Sequence, residues 1–191
     1  MQRAEWVDPR LGQLAFRAYA ELWLAHRPDL RPRTVELYRY LLDRYILPAF
    51  GRTDLSKITP LGVRTWHAEL AGQHPSTAAK AYRLLRAILN TAVADERITR
   101  NPCRVEGAGV EQPTERPIAS IREVDALTAA MPERLAMLVV LAAWSGLRRS
   151  ELLALRRSDV DLPHGPLRIQ RTSHQLRDGT VITGPRSRKP G

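Results

Sequence analysis

The chain has 191 residues, with 30 Lys+Arg against 20 Asp+Glu, a formal charge of +10 and a pI of about 10.7. That length suits one domain or two small ones, and 43% hydrophobic with 26% charged residues suits packed cores rather than a disordered chain. No run of 18 apolar residues exists to span a membrane, the first residues carry no apolar leader, and a lone Cys103 excludes a disulfide framework or a cysteine zinc site, so a soluble cytoplasmic protein is expected.

The first hundred residues read as four helices. Phe16, Ala20 and Trp23 share one helical face, and His26-Arg27-Pro28 ends that segment. Leu37, Leu41 and Tyr45 recur at i+4 in a second helix over about Arg33–Leu47, which Pro48 is expected to stop because proline pushes its predecessor out of helical geometry. After a connector at Gly51–Ile58, Thr59-Pro60 supplies an N-cap and a first-turn proline for a helix burying Val63, Trp66 and Leu70. A longer helix over about Ser76–Glu96 turns Tyr82, Leu85, Leu89 and Ala92 inward.

Three prolines and two glycines between residues 101 and 117, with no hydrophobic period, mark a linker. The expected division is a helical domain at 1–104, a linker at 105–117 and a second domain at 118–191. The second part opens at a capping box, Ser120 to Glu123. It continues with a buried helix over Leu135–Trp144, closed by Ser145-Gly146, and a short helix over Arg148–Arg156. The period then shifts toward strand at Leu167–Thr172 and Thr180–Thr183, with Asp178-Gly179 as a hairpin turn. Two strands and three helices make an incomplete α+β layer.

The charge is uneven. Of the 30 cations 27 are Arg, and Met1–Arg104 carries 17 cations against 10 anions. Arginine's planar, permanently charged fork suits phosphate, which makes a polyanion the expected partner and nucleic acid the first candidate. On the long helix Thr77, Lys80, Arg83 and Asn90 lie opposite the buried stripe and Arg86 extends that basic face. On the second helix Arg33, Tyr40 and Arg44 share another. Arg148 follows a helix-ending glycine and opens the next helix, where its guanidinium can present two parallel N–H donors to a phosphate, with Glu151 three residues on to fix it. On pattern alone, an ordinary i,i+3 surface ion pair is the simpler reading.

The run Ser145-Gly146-Leu147-Arg148-Arg149-Ser150-Glu151-Leu152, continuing to Asp161, resembles the first active-site box of the tyrosine recombinases, the phage-integrase family, which reads T/S-G-L-R-x-x-E-L. Arg33-Thr34 with Tyr38, the turn from Ile46 to Gly51, Thr59 through Trp66, and Asn101-Pro102 resemble that family's core-binding domain. The resemblance implies a mainly α fold, with a four-helix SAM-like core-binding domain at 1–104 followed by the first part of an α+β catalytic domain carrying a β-hairpin. It implies double-stranded DNA as the partner, other integrase subunits beside it, no membrane, and no metal or nucleotide cofactor, because a phosphotyrosyl link conserves the bond energy during strand exchange.

Carried over by position, Arg148 matches the first catalytic arginine and Glu151 the acidic residue of its box, while Arg33, Thr34, Tyr40, Arg44, Thr77, Lys80, Arg83 and Arg86 fall on the helices laid against duplex DNA. Arg186 stands where the family's hairpin lysine belongs, with Lys189 nearby but out of register, and arginine is a poor proton donor. His174-Gln175-Leu176-Arg177 has the H-x-x-R spacing of the second box but sits just before the Asp178-Gly179 turn, whereas the family's box opens a helix far downstream, so it is not taken as that box. Tyr19, Tyr38, Tyr40, Tyr45 and Tyr82, the five tyrosines of the chain, all precede the linker. The expectation is therefore a DNA-binding part of a site-specific recombinase that does not itself transfer strands. The alternatives are a non-catalytic DNA-binding regulator and an RNA-binding helical protein without the usual RNA motifs.

Overall fold

A computed structural model describes residues 13–111, 115, 117–161 and 165–186. The chain divides into two units, Met1–Thr114 and Glu115–Gly191.

The first unit is helical. Helix α1 (Phe16–Ala25) buries Phe16, Tyr19, Ala20 and Trp23, the face expected from their spacing. Helix α2 (Pro32–Leu41) does not stop before Pro48: it loosens into a π turn at Leu42–Ile46 and resumes as α3 (Leu47–Phe50). Leu47, directly before the proline, stays helical at φ −66°, ψ −32°. The π turn is the reason the expectation fails, since the widened register leaves room for a residue with no N–H to give and the chain runs on to Phe50. The short connector that follows is tied back to α1, with Phe16 N–H donating to the Thr53 carbonyl at 2.9 Å and Leu55 N–H to Leu14 at 3.1 Å.

Helix α4 (Pro60–Gln73) begins as its sequence dictates. Thr59 Oγ1 accepts from Gly62 N–H at 3.1 Å and Pro60 takes the first turn. Helix α5 (Pro75–Ala94) is the spine of the unit, with Ala81, Tyr82, Leu85, Ile88, Leu89 and Ala92 fully buried. It ends in a left-handed residue, Glu96 at φ 56°, with Arg97 N–H reaching back to the Ala92 carbonyl at 2.9 Å. The aromatic residues that fill the core carry polar tips, and these are partnered. Tyr19 donates to Asp95 Oδ2 at 2.6 Å, Trp23 Nε1 to Thr91 Oγ1 at 2.8 Å, and Trp66 Nε1 to the Tyr45 carbonyl at 3.0 Å. Each bond joins residues more than twenty apart, so the tips fix how the helices pack as well as that they pack.

The linker expected at 105–117 needs correcting at its first half. Val105 N–H donates to Tyr82 Oη at 2.9 Å, the same hydroxyl donates to the Val105 carbonyl at 3.2 Å, and His67 Nε2 donates to the Ala108 carbonyl at 3.2 Å. Cys103 and Ala108 are buried in the core of the first unit. Backbone groups with no helical or strand partner find side chains on α4 and α5 instead.

The second unit opens with α6 (Ile121–Ala130), where Ser120 and Glu123 form the expected reciprocal box. Helix α7 (Glu133–Ser145) packs against α6 and against α8 (Arg149–Leu152). Leu135–Trp144 is thus helical but not buried: Met137 is 64% and Trp144 65% exposed. Its apolar run covers the whole circumference, and the described elements pack on only part of it. The short helix expected to reach Arg156 is a single turn, followed by a 3₁₀ turn at Arg157–Asp159. The hairpin pairs β1 (Arg171–Gln175) with β2 (Val181–Pro185), Ser173 opposite Thr183, and turns at Gly179 with φ 88°. The first strand therefore begins four residues later than expected, because Leu167 bridges back to Val160 before the ladder starts. Among the described residues no helix is long and apolar enough to cross a membrane.

Thr59→Ala is expected to destabilise the first unit by about 1 kcal/mol in urea denaturation, and Thr59→Ser to restore most of that loss.

Candidate nucleic-acid interface

In the second unit the site is built around a turn. Helix α7 closes at Gly146, whose φ of 63° is a left-handed conformation that glycine adopts without strain. The chain then extends through Leu147 and places Arg148 at the cap of α8. Glu151 in the first turn reaches back, and its Oε2 accepts from Arg148 N–H at 2.9 Å. Its Oε1 faces two guanidinium groups, Arg148 Nη1 at 3.6 Å and Arg186 Nε at 3.0 Å.

The burial is sharply divided. The Glu151 side chain is 4% exposed, and that of Arg148 is 74% exposed. The Arg148 N–H, and then the Arg186 and Arg148 charges, hold the Glu151 carboxyl below the usual carboxylate range. A second carboxylate repeats the arrangement. Asp159 Oδ2 accepts from Arg156 N–H at 2.9 Å and pairs with Arg171 on β1, and its carboxyl is also held low, first by that N–H and then by Arg171. Arg186, the first residue past β2, continues the ladder through its N–H to the Gln170 carbonyl at 2.9 Å. The hairpin is thereby pinned to the turn that carries Arg148. Arg148, Glu151 and Arg186 are brought together, while Lys189 lies outside the described residues. His174 sits in β1 opposite Ile182, in the hairpin and not at a helix start.

In the first unit the expected DNA-facing residues divide into groups. Arg33 and Arg44 are exposed, and Thr34 is half-buried with its N–H on the Arg31 carbonyl at 2.8 Å. Tyr40 does not simply share a face with Arg44. The i,i+5 spacing of the π turn sets its hydroxyl 3.0 Å from that of Tyr45, with the rings edge to face at 5.6 Å. On α5, Thr77 is half-buried, Arg86 is exposed and its carbonyl accepts from Asn101 Nδ2 at 2.9 Å. Lys80 and Arg83 both pair with Glu111, Lys80 at 3.2 Å. Sequence reasoning missed Glu111 and the Arg171–Asp159 pair. The Glu111 pairing joins residues about thirty apart through a segment without periodicity, so it left no local signal. Asp159 falls within the quoted box, where its acidic turn was the available hint. Among the described residues no three His, Cys, Asp or Glu side chains gather as a metal site would require.

Residues 15–71 match the family model for the phage integrase N-terminal SAM-like domain. The chain is 42% identical over 174 residues to a prophage phiRv2 integrase of Mycobacterium tuberculosis, a match covering 90% of this chain and 46% of that protein. The chain belongs to the phage integrase, or tyrosine recombinase, family. The integrase of Mycobacterium phage D29 is 32% identical over 200 residues, covering 97% of this chain and 52% of the relative. The integrase-family chain thus spans about half the length of the curated relatives it matches. Its fold is similar to that of the Tn1549 transposon integrase, solved in complex with circular intermediate DNA, at a TM-score of 0.76 and 16% identity over 91% of this chain and 59% of that one. It is also similar to the lambda integrase solved as a dimer on a core site, at a TM-score of 0.71 and 16% identity over 92% and 50%.

Because Glu151 releases its proton more readily in the folded chain than unfolded, its contribution is complete above about pH 5 and is lost as pH falls through its depressed value. In urea titrations from pH 6 to pH 3, Glu151→Gln is expected to lose less stability than the unsubstituted protein. Equal losses would show that the carboxylate does no holding.

Proposed function

We propose that this chain is the DNA-gripping part of a phage-type site-specific recombinase, binding duplex DNA without itself forming a covalent link to it. The observation that carries this reading is the contrast at one turn: an exposed guanidinium, Arg148, mounted on a buried carboxylate, Glu151. A surface ion pair with no further role would leave both partners wet. Here the carboxylate is spent on positioning, and the outer edge of Arg148 is free to meet a phosphate oxygen with a charge-assisted pair of N–H bonds. Arg186 adds a second positive charge at the same carboxylate and, as a guanidinium, serves as a hydrogen-bond donor rather than a proton donor.

In this reading the first unit, with the segment that packs on it through Ala108, forms the core-binding domain and the second unit the first part of a catalytic domain. Arg33, Thr34, Tyr40, Arg44, Thr77, Lys80, Arg83 and Arg86 supply contacts to the phosphate backbone, which position a protein on DNA without reading its sequence. The DNA complexes in which the Tn1549 and lambda integrases were solved support duplex DNA as partner, and the lambda integrase dimer and tetramer support association between subunits. The absence of strand transfer rests on the tyrosines. Tyr19 and Tyr82 are buried in the first unit and hydrogen-bonded there, and burial pushes both hydroxyls above their ordinary pKa, away from a nucleophilic phenolate. The same packing favours the second reading, a DNA-binding regulator that leaves its site intact.

Gel shifts with a duplex carrying a core-type site are expected to show binding whose log K falls with log salt at a slope near −5 if about six phosphates are engaged. Arg148→Ala is expected to weaken binding and reduce that slope by about 1. A nicked suicide substrate is expected to trap no covalent adduct. A phosphotyrosyl product from this chain would overturn the non-catalytic reading, and an Arg148→Ala protein whose salt slope is unchanged would remove Arg148 from the phosphate contacts.

A further inference from the structure

The segment after α5 does more than leave the first unit. Its path over α5 is fixed by bonds that do not involve its charges. The Tyr82 hydroxyl clips both backbone groups of Val105, His67 holds the Ala108 carbonyl, and a turn at Gly107 (φ 70°) closes with Val110 N–H on the Gly107 carbonyl at 2.9 Å. Gly109 lies against the stem of Arg83, so close that an added Cβ would stand 3.1 Å from its Cγ. This track delivers Glu111 onto Lys80 and Arg83, two of the three cations of α5. One oxygen pairs with Lys80 at 3.2 Å and the other with Arg83, and both pairs hold its carboxyl below the usual range.

We infer that Glu111 is an internal competitor for DNA phosphate, occupying Lys80 and Arg83 in the free protein and giving them up when a duplex docks on α5. The inference rests on the proposed reading that the α5 cations meet DNA. A carboxylate and a phosphodiester oxygen present the same chemistry to an ammonium or guanidinium: a single negative charge and acceptor lone pairs. All three side chains are partly exposed, so the pairs are screened and add little to folding. They are the kind of contact that a denser array of negative charge displaces. Their effect is therefore felt in binding, as an affinity held down and a salt dependence made shallower, because cations already neutralised release fewer counterions.

The full chain and a fluorescent 40-base-pair duplex of arbitrary sequence, titrated by anisotropy at several salt concentrations, test this. Glu111→Gln is expected to tighten binding about three- to tenfold and to steepen the log–log salt slope by up to about 2, with the melting temperature within about 3 °C of the unsubstituted protein. Glu106→Gln makes the same charge change five residues away on an exposed side chain, and is expected to shift affinity less than about twofold. In a Lys80→Ala, Arg83→Ala background the Glu111→Gln gain is expected to vanish. Equal gains from Glu106→Gln and Glu111→Gln would reduce the effect to net charge and overturn the inference. Weaker binding by Glu111→Gln would overturn it in favour of Glu111 positioning Arg83 for DNA. If the unsubstituted chain binds and Glu111→Gln matches it, only the competitor role fails. If neither protein binds the duplex, the DNA-gripping reading fails and the competitor role with it.

Discussion

The second unit turns on a single buried carboxylate. Glu151 caps its own helix through the Arg148 N–H, draws in the Arg186 guanidinium from the end of the hairpin, and leaves the Arg148 side chain pointing to solvent. A buried carboxylate without partners would cost several kcal/mol, on the order expected for removing an ion from water, so the helix start, the hairpin exit and the arginine must assemble together. Asp159 repeats the principle one turn later, accepting from the Arg156 N–H and pairing with Arg171 on β1. Among the described residues of this unit only Leu152 and Ala154 are buried apolar side chains, which makes these two acid–arginine ties the main specification of where the hairpin sits.

The first unit is specified differently. Its core is a continuous apolar cluster on α1, α2, α4 and α5, and its polar tips are few and long-range. Apolar burial supplies the driving force without direction, and the hydrogen bonds of Tyr19, Trp23, Trp66 and Tyr82 supply the direction. The hydrogen bonds of these tips use no cation of α2 or α5, which leaves the outer faces of those helices to carry charge. The surface cations can be answered by whatever anion is nearest, which in the free chain is Glu111 for two of them.

How much of this could be read beforehand follows from how local each cause is. Thr59-Pro60 and Ser120 to Glu123 announce helix starts because cap and acceptor lie within three residues, and both were legible to the residue. The Arg148–Glu151 relation was legible for the same reason. Pro48 misled because a helix can widen into a π turn and continue past a proline, an outcome decided by the packing of Ile46 and Phe50 rather than by the proline itself. Leu135–Trp144 reads as buried because hydrophobicity is a property of the segment, while burial depends on what else is there to cover it. The Pro- and Gly-containing stretch after residue 104 reads as a linker because it has no period, yet single contacts to Tyr82 and His67 hold it. Arg186 meeting Glu151 across 35 positions had no local sign at all.

In the proposed function the guanidinium raised on Glu151 grips a phosphodiester. Nitrogen-15 NMR of the arginine side-chain Nε–H groups, followed while a 20-base-pair duplex is added and then displaced with salt, tests it most directly. A saturable shift of the Arg148 resonance that reverses as salt rises is expected. An Arg148 signal that stays in place while the arginines of α2 and α5 respond would contradict it, leaving the first unit as the DNA-binding surface and the Arg148–Glu151 turn as a structural tie alone.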